Sequence, residues 1–233
     1  MTKGYIEFFS SNPKYRRLWA ATVISLLGEW FNTIALFFLI LEYSGSEFLL
    51  GVLFAVRMLL FGLSQPINGL LADRLNRKGL MFWSNIAQIG LALSFILVDG
   101  PEDMWWLITV SGLMMLLHGV YVTAERAAVP NIVAEEDLIT ANAIGSASWS
   151  TALCTGAMLG GVVVSEYGTD AAFIIDSMTF LLSSIILIPL VIEQKIDESM
   201  KGPLLKTAIS NIEIGWNRIY TCLLYTSDAA DES

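Results

Sequence analysis

The chain has 233 residues, of which 55% are hydrophobic and only 15% charged, with a net charge of −9. A soluble domain of this length carries about 25% charged residues, so this composition excludes an ordinary soluble protein. The apolar residues form blocks of about 20, the helix length that crosses a bilayer core of about 30 Å. The sequence therefore predicts an all-α membrane protein.

Enzymatic and metal-binding motifs are lacking in the sequence. Its two cysteines, Cys154 and Cys222, form no CxxC pair and no His/Cys cluster, and no phosphate-binding loop is present. We therefore expect no catalytic residue, no metal, no cofactor and no nucleic-acid partner, and no coupling to ATP within this chain.

Segment 1–17 is polar and predicts a cytoplasmic N-terminal segment without a cleavable signal peptide. Six apolar blocks then predict transmembrane helices at 18–41, 48–72, 80–98, 104–122, 138–164 and 171–192. Most connections are short and contain turn residues such as Gly45, Gly100 and Gly168. The fourth connection, 123–137, is longer, and it contains Pro130.

The basic residues predict the orientation of these spans. All except Arg57 fall on one side: Lys3, Lys14, Arg16, Arg17, Arg74, Arg77, Lys78, Arg126, Lys195, Lys201, Lys206 and Arg218. The opposite loops carry acidic residues only: Glu42, Glu47, Asp99, Glu102, Asp103, Glu166 and Asp170. Because cytoplasmic loops are rich in Lys and Arg, we expect a multi-pass protein of the cytoplasmic (inner) membrane with its N-terminus in the cytoplasm.

Four ionisable residues fall inside the predicted spans, where a charge costs a few kcal/mol unless it has a partner or faces water. Glu29 and Arg57 lie at matched depth on adjacent helices. They pair either to hold the bundle together or to make Glu29 a proton or cation site that Arg57 tunes. His118 either relays protons or is hydrogen-bonded between helices. Asp176 is either functional or solvated near the headgroups.

The fifth span is rich in small residues, among them Gly145, Gly156, Gly160 and Gly161. Small residues let helices approach closely in lipid. This pattern predicts tight packing, and it also suits a helix that slides against its neighbours during transport.

The connection between spans two and three has the sequence GLLADRLNRK at 69–78. Gly69 favours close helix contact, and Asp73 suits the N-terminus of a neighbouring helix. Asn76 stands at the chain reversal and tolerates the left-handed conformation. Arg77 and Lys78 are candidate partners of Asp73, so the cluster is a plausible latch between conformations.

That string resembles the signature loop of the major facilitator superfamily, G-x-L-A-D-R-x-G-R-K, with Asn76 in place of the second glycine. The stretch GAMLGG at 156–161 resembles the superfamily's antiporter motif, with Ala157 in place of proline. The stretches AERAAVP at 124–130 and ANA at 141–143 resemble a drug-exporter branch that contains macrolide efflux pumps and the enterobactin exporter.

The resemblance, which covers about 12–220, implies half of a twelve-helix fold, with six helices arranged as an inverted 3+3 repeat. It also implies alternating access and proton antiport that exports small molecules of drug or siderophore type. The latch residues would be Gly69, Asp73, Arg74, Arg77 and Lys78, and the antiporter-like residues Gly156, Gly160 and Gly161. Besides the cargo, the partners would be the bilayer and a second six-helix half.

We expect 18–192 to form the bundle and 193–220 to be a cytoplasmic linker to that second half. The last residues resemble the translation of a transposon-type sequencing adapter, so 221–233 is expected to be an artefactual tail, with a natural acidic tail as the alternative. The alternative function is a non-transporting six-span module that acts as a sensor, an assembly partner or a half-size homodimer. A channel is a weaker idea, because no filter-like loop is present.

Overall fold

The computed structural model describes residues 4–194, 207 and 215–216. Its six α-helices are α1 (Tyr5–Ser11), α2 (Pro13–Ser44), α3 (Glu47–Arg74), α4 (Arg77–Ser94), α5 (Met104–Ile132) and α6 (Leu138–Leu187). Short 3₁₀ turns at Phe95–Leu97, Pro101–Asp103 and Glu135–Asp137 join them. Most of the predicted linker 193–220 and the whole of the predicted tail 221–233 lie outside the described residues.

Five helical stretches in the described part of the chain are long and apolar enough to cross a bilayer: Pro13–Ser44, Glu47–Arg74, Arg77–Leu97, Pro101–Ile132 and Glu135–Leu187. The last contains two of the six predicted spans, because α6 is interrupted at Gly168, which has φ 84° and ψ 173°. Only glycine adopts such a conformation readily. We name its halves α6a (138–167, about 45 Å) and α6b (169–187, about 28 Å).

The chain reverses direction at Gly168. Along α6a, Tyr15 donates a hydrogen bond to the carbonyl oxygen of Ala141, and Phe31 lies against Gly160, so α2 and α6a run parallel. Along α6b the order is opposite, because Asn32 contacts Asp176 while Gly28 lies beside Thr179. The halves of α6 are therefore two antiparallel passes, and the predicted turn at 167–169 is confirmed.

The other helices alternate in direction in the same way. Leu60 and Asn68 of α3 lie against Gly112 and Gly119 of α5, so these two helices are parallel. Asn85 of α4 donates to Ser183 of α6b, and the rings of Phe95 and Phe173 lie 5.1 Å apart, so those two helices are antiparallel. The described bundle thus consists of six consecutive up-and-down passes.

The predicted spans were too short at one end of the bundle. Helix α2 begins at Pro13, which is tolerated in the first turn because that turn needs no N–H donor. Helix α5 continues through Pro130 to Ile132, so the prediction of a long connection at 123–137 was wrong. Its polar residues, Thr123 and Glu125 among them, indicated a loop, but they face the bundle, where Thr123 donates to Gln65 at 3.0 Å.

Two apolar clusters make up the core, one toward each end. The first centres on Leu36, Ile40, Phe95 and Phe173, and the second on Phe8, Leu18, Met81 and Leu187. Between them lie the buried or half-buried polar side chains of Glu29, Asn32, Arg57, Asn85, Gln88, His118 and Asp176. We call these seven residues the polar layer. It lies midway along the passes and is the natural place to look for a functional site.

Candidate functional site

Glu29 is the centre of the polar layer. Its Oε1 atom lies 3.7 Å from Nη2 of Arg57, and its Oε2 atom lies 3.0 Å from Nδ1 of His118. Glu29 is about 24 Å along α2, and His118 is at the middle of α5, because that helix is longer than predicted. The side chains of Glu29, Arg57 and His118 are only 15%, 6% and 19% exposed. One carboxylate thus joins three helices.

Thr33 holds the Arg57 guanidinium in place. Nη2 of Arg57 donates to the Thr33 hydroxyl at 3.3 Å, and that hydroxyl donates to the Glu29 carbonyl at 2.8 Å. Residues four apart share one face of a helix, so Glu29 and Thr33 together present α3 with two acceptors. The predicted contact between Glu29 and Arg57 is therefore present.

Asp176 is fully buried rather than solvated near the headgroups, and that alternative was wrong. Its Oδ2 atom accepts a hydrogen bond from Nδ2 of Asn32 at 2.8 Å. The reason for its burial is Gly28, since a Cβ atom there would lie 1.9 Å from Oγ1 of Thr179 and 2.8 Å from Oδ1 of Asp176. A missing side chain on α2 lets α6b approach closely and enclose the carboxyl group.

The polar layer combines two carboxyl groups, a guanidinium and an imidazole in a largely enclosed site. Ionisable groups this close together influence one another's charge. The described residues bring no three His, Cys, Asp or Glu side chains together as a metal site. The contacts recorded between these groups are ion pairs and hydrogen bonds.

A wide cavity of about 820 Å³ opens beside the layer, at the end of the bundle that carries the basic residues. Its lining includes Trp19, His118, Tyr121, Glu125, Asn142 and Trp149. Glu125 and the tryptophans were not among the predicted site residues. Glu125 was missed because the fourth span was predicted to end before it.

The predicted latch is organised around Arg77. Its Nη2 atom lies 3.6 Å from Oδ1 of Asp73, and its Nε atom donates to the Ala72 carbonyl at 3.0 Å. Its Nη1 atom donates to the Ala127 carbonyl at 2.8 Å and to Asn131. Arg77 thus ties the start of α4 to the ends of α3 and α5.

Three other expectations for this loop are corrected. Asn76 has φ −64°, so it is not left-handed, and its side chain caps α4 by accepting from the Gly79 N–H at 2.8 Å. Lys78 donates to the Ile188 carbonyl at 2.5 Å rather than pairing with Asp73. A Cβ atom on Gly69 would meet nothing within 4 Å among the described residues, so no close helix contact forms there.

The chain after α6b reaches this loop through Gln194, which the sequence did not single out. Its Nε2 atom donates to the carbonyls of Ala72 and Leu75, and its Oε1 atom accepts from the Arg77 N–H at 3.1 Å. The Gln194 amide therefore forms hydrogen bonds with both the C-terminus of α3 and the N-terminus of α4. Arg74 lies nearby, and its Nη2 atom donates to Thr207 at 3.3 Å.

The three glycines of the antiporter-like stretch differ in their surroundings. A Cβ atom on Gly156 would lie 2.8 Å from Cβ of Trp30, and one on Gly160 would lie 3.0 Å from Cδ1 of Phe31. A Cβ atom on Gly161 would meet nothing within 4 Å. Gly156 and Gly160 are thus required for contact with α2, whereas Gly161 faces away from the bundle.

Comparison with known proteins places these features in a family. Residues 18–225 match the family model described as Major Facilitator Superfamily. The chain is 27% identical over 77% of its length to the Uncharacterized MFS-type transporter YfiS of Bacillus subtilis (strain 168). It is 23% identical over 76% to the Multidrug resistance protein MdtG of Proteus mirabilis (strain HI4320), and 23% identical over 74% to the Macrolide efflux protein A of Streptococcus pyogenes.

These alignments cover 42%, 43% and 43% of the three relatives' own lengths, so the chain spans less than half of each. The members of this family are transporters rather than enzymes. A multi-pass helical bundle, a polar layer at its middle and a match over most of the chain lead to one conclusion: this chain belongs to the Major Facilitator Superfamily.

Proposed function

We propose that the chain is the N-terminal half of a secondary transporter that exports small organic molecules across the cytoplasmic membrane by proton antiport and alternating access. Two of the relatives described above are named for multidrug resistance and macrolide efflux, which supports a hydrophobic drug-like cargo. The cavity of about 820 Å³ is within the size range of small-molecule sites and has aromatic walls, which also supports such a cargo.

The observation that carries the proposal is the sharing of Glu29 between Arg57 and His118. An ionised Glu29 keeps both neighbours in place across three helices. Protonation of Glu29 removes the negative charge and with it the ion pair, so α2 and α3 lose a strong contact at mid-membrane. Binding of a proton to Glu29 and the present packing of α2 against α3 then oppose each other. Antiport needs such a coupling between protonation and helix arrangement.

The inverted 3+3 repeat is part of the proposal, and helix packing supports it. Helix α2 runs parallel to α6a and antiparallel to α6b. In an inverted repeat, α2, α3 and α4 correspond to α5, α6a and α6b. The pairs α2–α6a and α2–α6b then correspond to the pairs α5–α3 and α5–α4. Helix α5 runs parallel to α3, because Leu60 and Asn68 lie against Gly112 and Gly119. It runs antiparallel to α4, because Trp106 donates to Ser94 and Arg77 donates to Asn131.

We propose that the end bearing Arg77, Lys78 and Arg126 faces the cytoplasm, because Lys and Arg concentrate in cytoplasmic loops. We further propose that Gly69, Asp73, Arg74, Arg77 and Lys78 act as the conformational latch. A second six-helix half would cover Gly69 and the exposed, small-residue face of α6a around Gly145 and Gly161, which is open in the described residues. The length of the relatives supports such a half.

The test is transport by the product of the intact gene in inside-out membrane vesicles with an imposed pH gradient. A radiolabelled macrolide serves as the probe. We expect Glu29→Gln to abolish gradient-driven uptake of the macrolide, with the rate normalised to the amount of folded protein in the vesicles. The matched control is Glu42→Gln, which removes an exposed carboxylate from the same helix and is expected to transport normally.

Two results would contradict the proposal in different ways. Uptake by Glu29→Gln at the rate of the unchanged protein would remove Glu29 from the coupling mechanism. Failure of the unchanged protein to move a macrolide or any of a panel of hydrophobic drugs would overturn the cargo class.

A further inference from the structure

Three oxygen atoms in the polar layer, Oδ1 of Asp176, of Asn32 and of Asn85, lack partners although they are fully enclosed. Oδ1 of Asp176 and Oδ1 of Asn32 have no hydrogen-bond donor, and the residues are 0% and 1% exposed. Most buried polar atoms in folded proteins have a partner, so each exception needs an explanation. The explanation here has to account for a carboxyl group with one satisfied and one unsatisfied oxygen.

Among the described residues, no second hydrogen-bond donor reaches the Asp176 carboxyl group. Nδ2 of Asn32 donates to Oδ2. The nearby Thr179 hydroxyl has a single proton, which it donates to the Asp176 carbonyl at 2.7 Å. An ionised carboxylate in this place would have one hydrogen bond for two charged oxygens, and burying a charge in that state costs several kcal/mol or more. A proton on Oδ1 removes the charge and makes that atom a donor.

The charges around Asp176 also favour a protonated, neutral carboxyl group. Glu29 on α2 and Arg57 on α3 act on it electrostatically, and they already neutralise each other. His118 on α5 reaches the group only through Glu29. Stretch 79–97, in and after α4, and stretch 171–187 of α6b add no titratable side chain other than Asp176 itself. A layer with ionised Asp176 and protonated His118 would also be neutral, but it would leave Oδ1 of Asp176 charged and unpaired.

We propose that Asp176 is held in this conformation as a neutral carboxylic acid, with its proton on Oδ1, and that it is a second proton-carrying group beside Glu29. Ionisation releases that proton to water and leaves one negative charge, so it requires water to enter between α2 and α6b. The contact at Gly28 closes the space between the two helices here, and separation of the helices would admit water. The protonation state stands independently of the proposed function, whereas its use in transport rests on it.

The test is infrared spectroscopy of the full-length protein, purified in lipid nanodiscs, as a function of pH. A buried protonated carboxyl group has a C=O stretching band that is distinct from the bands of a carboxylate. We expect such a band at neutral pH, and we expect Asp176→Asn to remove it. Asp170→Asn, which changes an exposed residue of the same helix, and Glu29→Gln should both retain it.

A second variant keeps the proposal falsifiable if Asp176→Asn does not fold. Asn32→Ala removes the donor to Oδ2, the carbonyl oxygen of the protonated group, so the band should shift to higher wavenumber. A band that persists in Asp176→Asn, or that stays in place in Asn32→Ala, would overturn the assignment. Loss of the band when Na⁺ replaces choline at constant pH would also overturn it, because a metal cation would then occupy the site.

The transport assay separates the two proposals. If Asp176 carries a proton in the cycle, Asp176→Asn should lower the number of protons moved per molecule exported without abolishing export. An unchanged ratio, with the infrared band assigned to Asp176, would overturn its role in transport and leave the proposed function intact. Unimpaired export by Glu29→Gln would contradict the proposed function and leave the infrared assignment intact.

Discussion

Nη2 of Arg57 lies 3.7 Å from Oε1 of Glu29, and both side chains are almost completely enclosed by helices. The pair joins the first and second passes of the bundle at mid-depth. The two residues are therefore interdependent, so changing either one alone should be worse than changing both.

Arg57→Gln should destabilise the bundle because it leaves the buried Glu29 carboxylate without its guanidinium partner. Removal of one member of a buried ion pair costs about 3–5 kcal/mol, so we expect a large drop in the thermal unfolding temperature of the detergent-solubilised chain. The double variant Glu29→Gln with Arg57→Gln has no unpaired charge and should recover most of that loss. Equal destabilisation of the single and double variants would show that the pair is not coupled.

Gly160→Val should destabilise the contact between α2 and α6a. A Cβ atom on Gly160 would lie 3.1 Å from the Cα atom of Phe31, which is backbone and cannot move aside. We expect a loss of about 1–3 kcal/mol from overpacking, measured by thermal unfolding in detergent. The neighbouring Gly161→Val places the same side chain in open space and should have little effect. Equal losses in both variants would refute the close approach.

Gly168→Ala tests the turn between α6a and α6b. At φ 84° and ψ 173° a side chain is strained, and such strain costs about 1–3 kcal/mol. We expect this loss in the unfolding measurement, together with faster proteolysis at the turn. Gly161→Ala, in the helix, should be neutral or slightly stabilising, because alanine is the better helix former. A neutral Gly168→Ala would mean that the chain reverses in another way.

Gln194→Ala should weaken the junction between α3, α4 and the chain that follows α6b. The change leaves the Ala72 and Leu75 carbonyls and the Arg77 N–H without this partner, and we expect a loss of about 1–3 kcal/mol. Hydrogen exchange at Arg77 and Lys78 should increase. Glu193→Ala removes only an exposed ion pair with Lys14, which is worth about 0–1 kcal/mol. Similar effects of both variants would contradict the role of Gln194.

The pairing of Glu29 with Arg57 could be predicted because helix rise converts residue number into depth, and consecutive spans are neighbours. Burial of Asp176 could not, because it depends on Gly28, on a helix far away in sequence. The same limit applies to Asn32 and Gln194, polar residues whose partners are more than 100 positions distant. No local pattern marks such residues.

The length and composition of the apolar blocks and the distribution of Lys and Arg were enough to predict a helical membrane protein with six passes. These properties are local, because a helix that crosses lipid must satisfy its own backbone and bury apolar side chains along its whole length. The tertiary structure decided which polar groups meet. Helix-to-helix distances depend on small residues such as Gly28, Gly156 and Gly160 on particular faces. The sequence of one helix does not specify which face of which other helix packs against it.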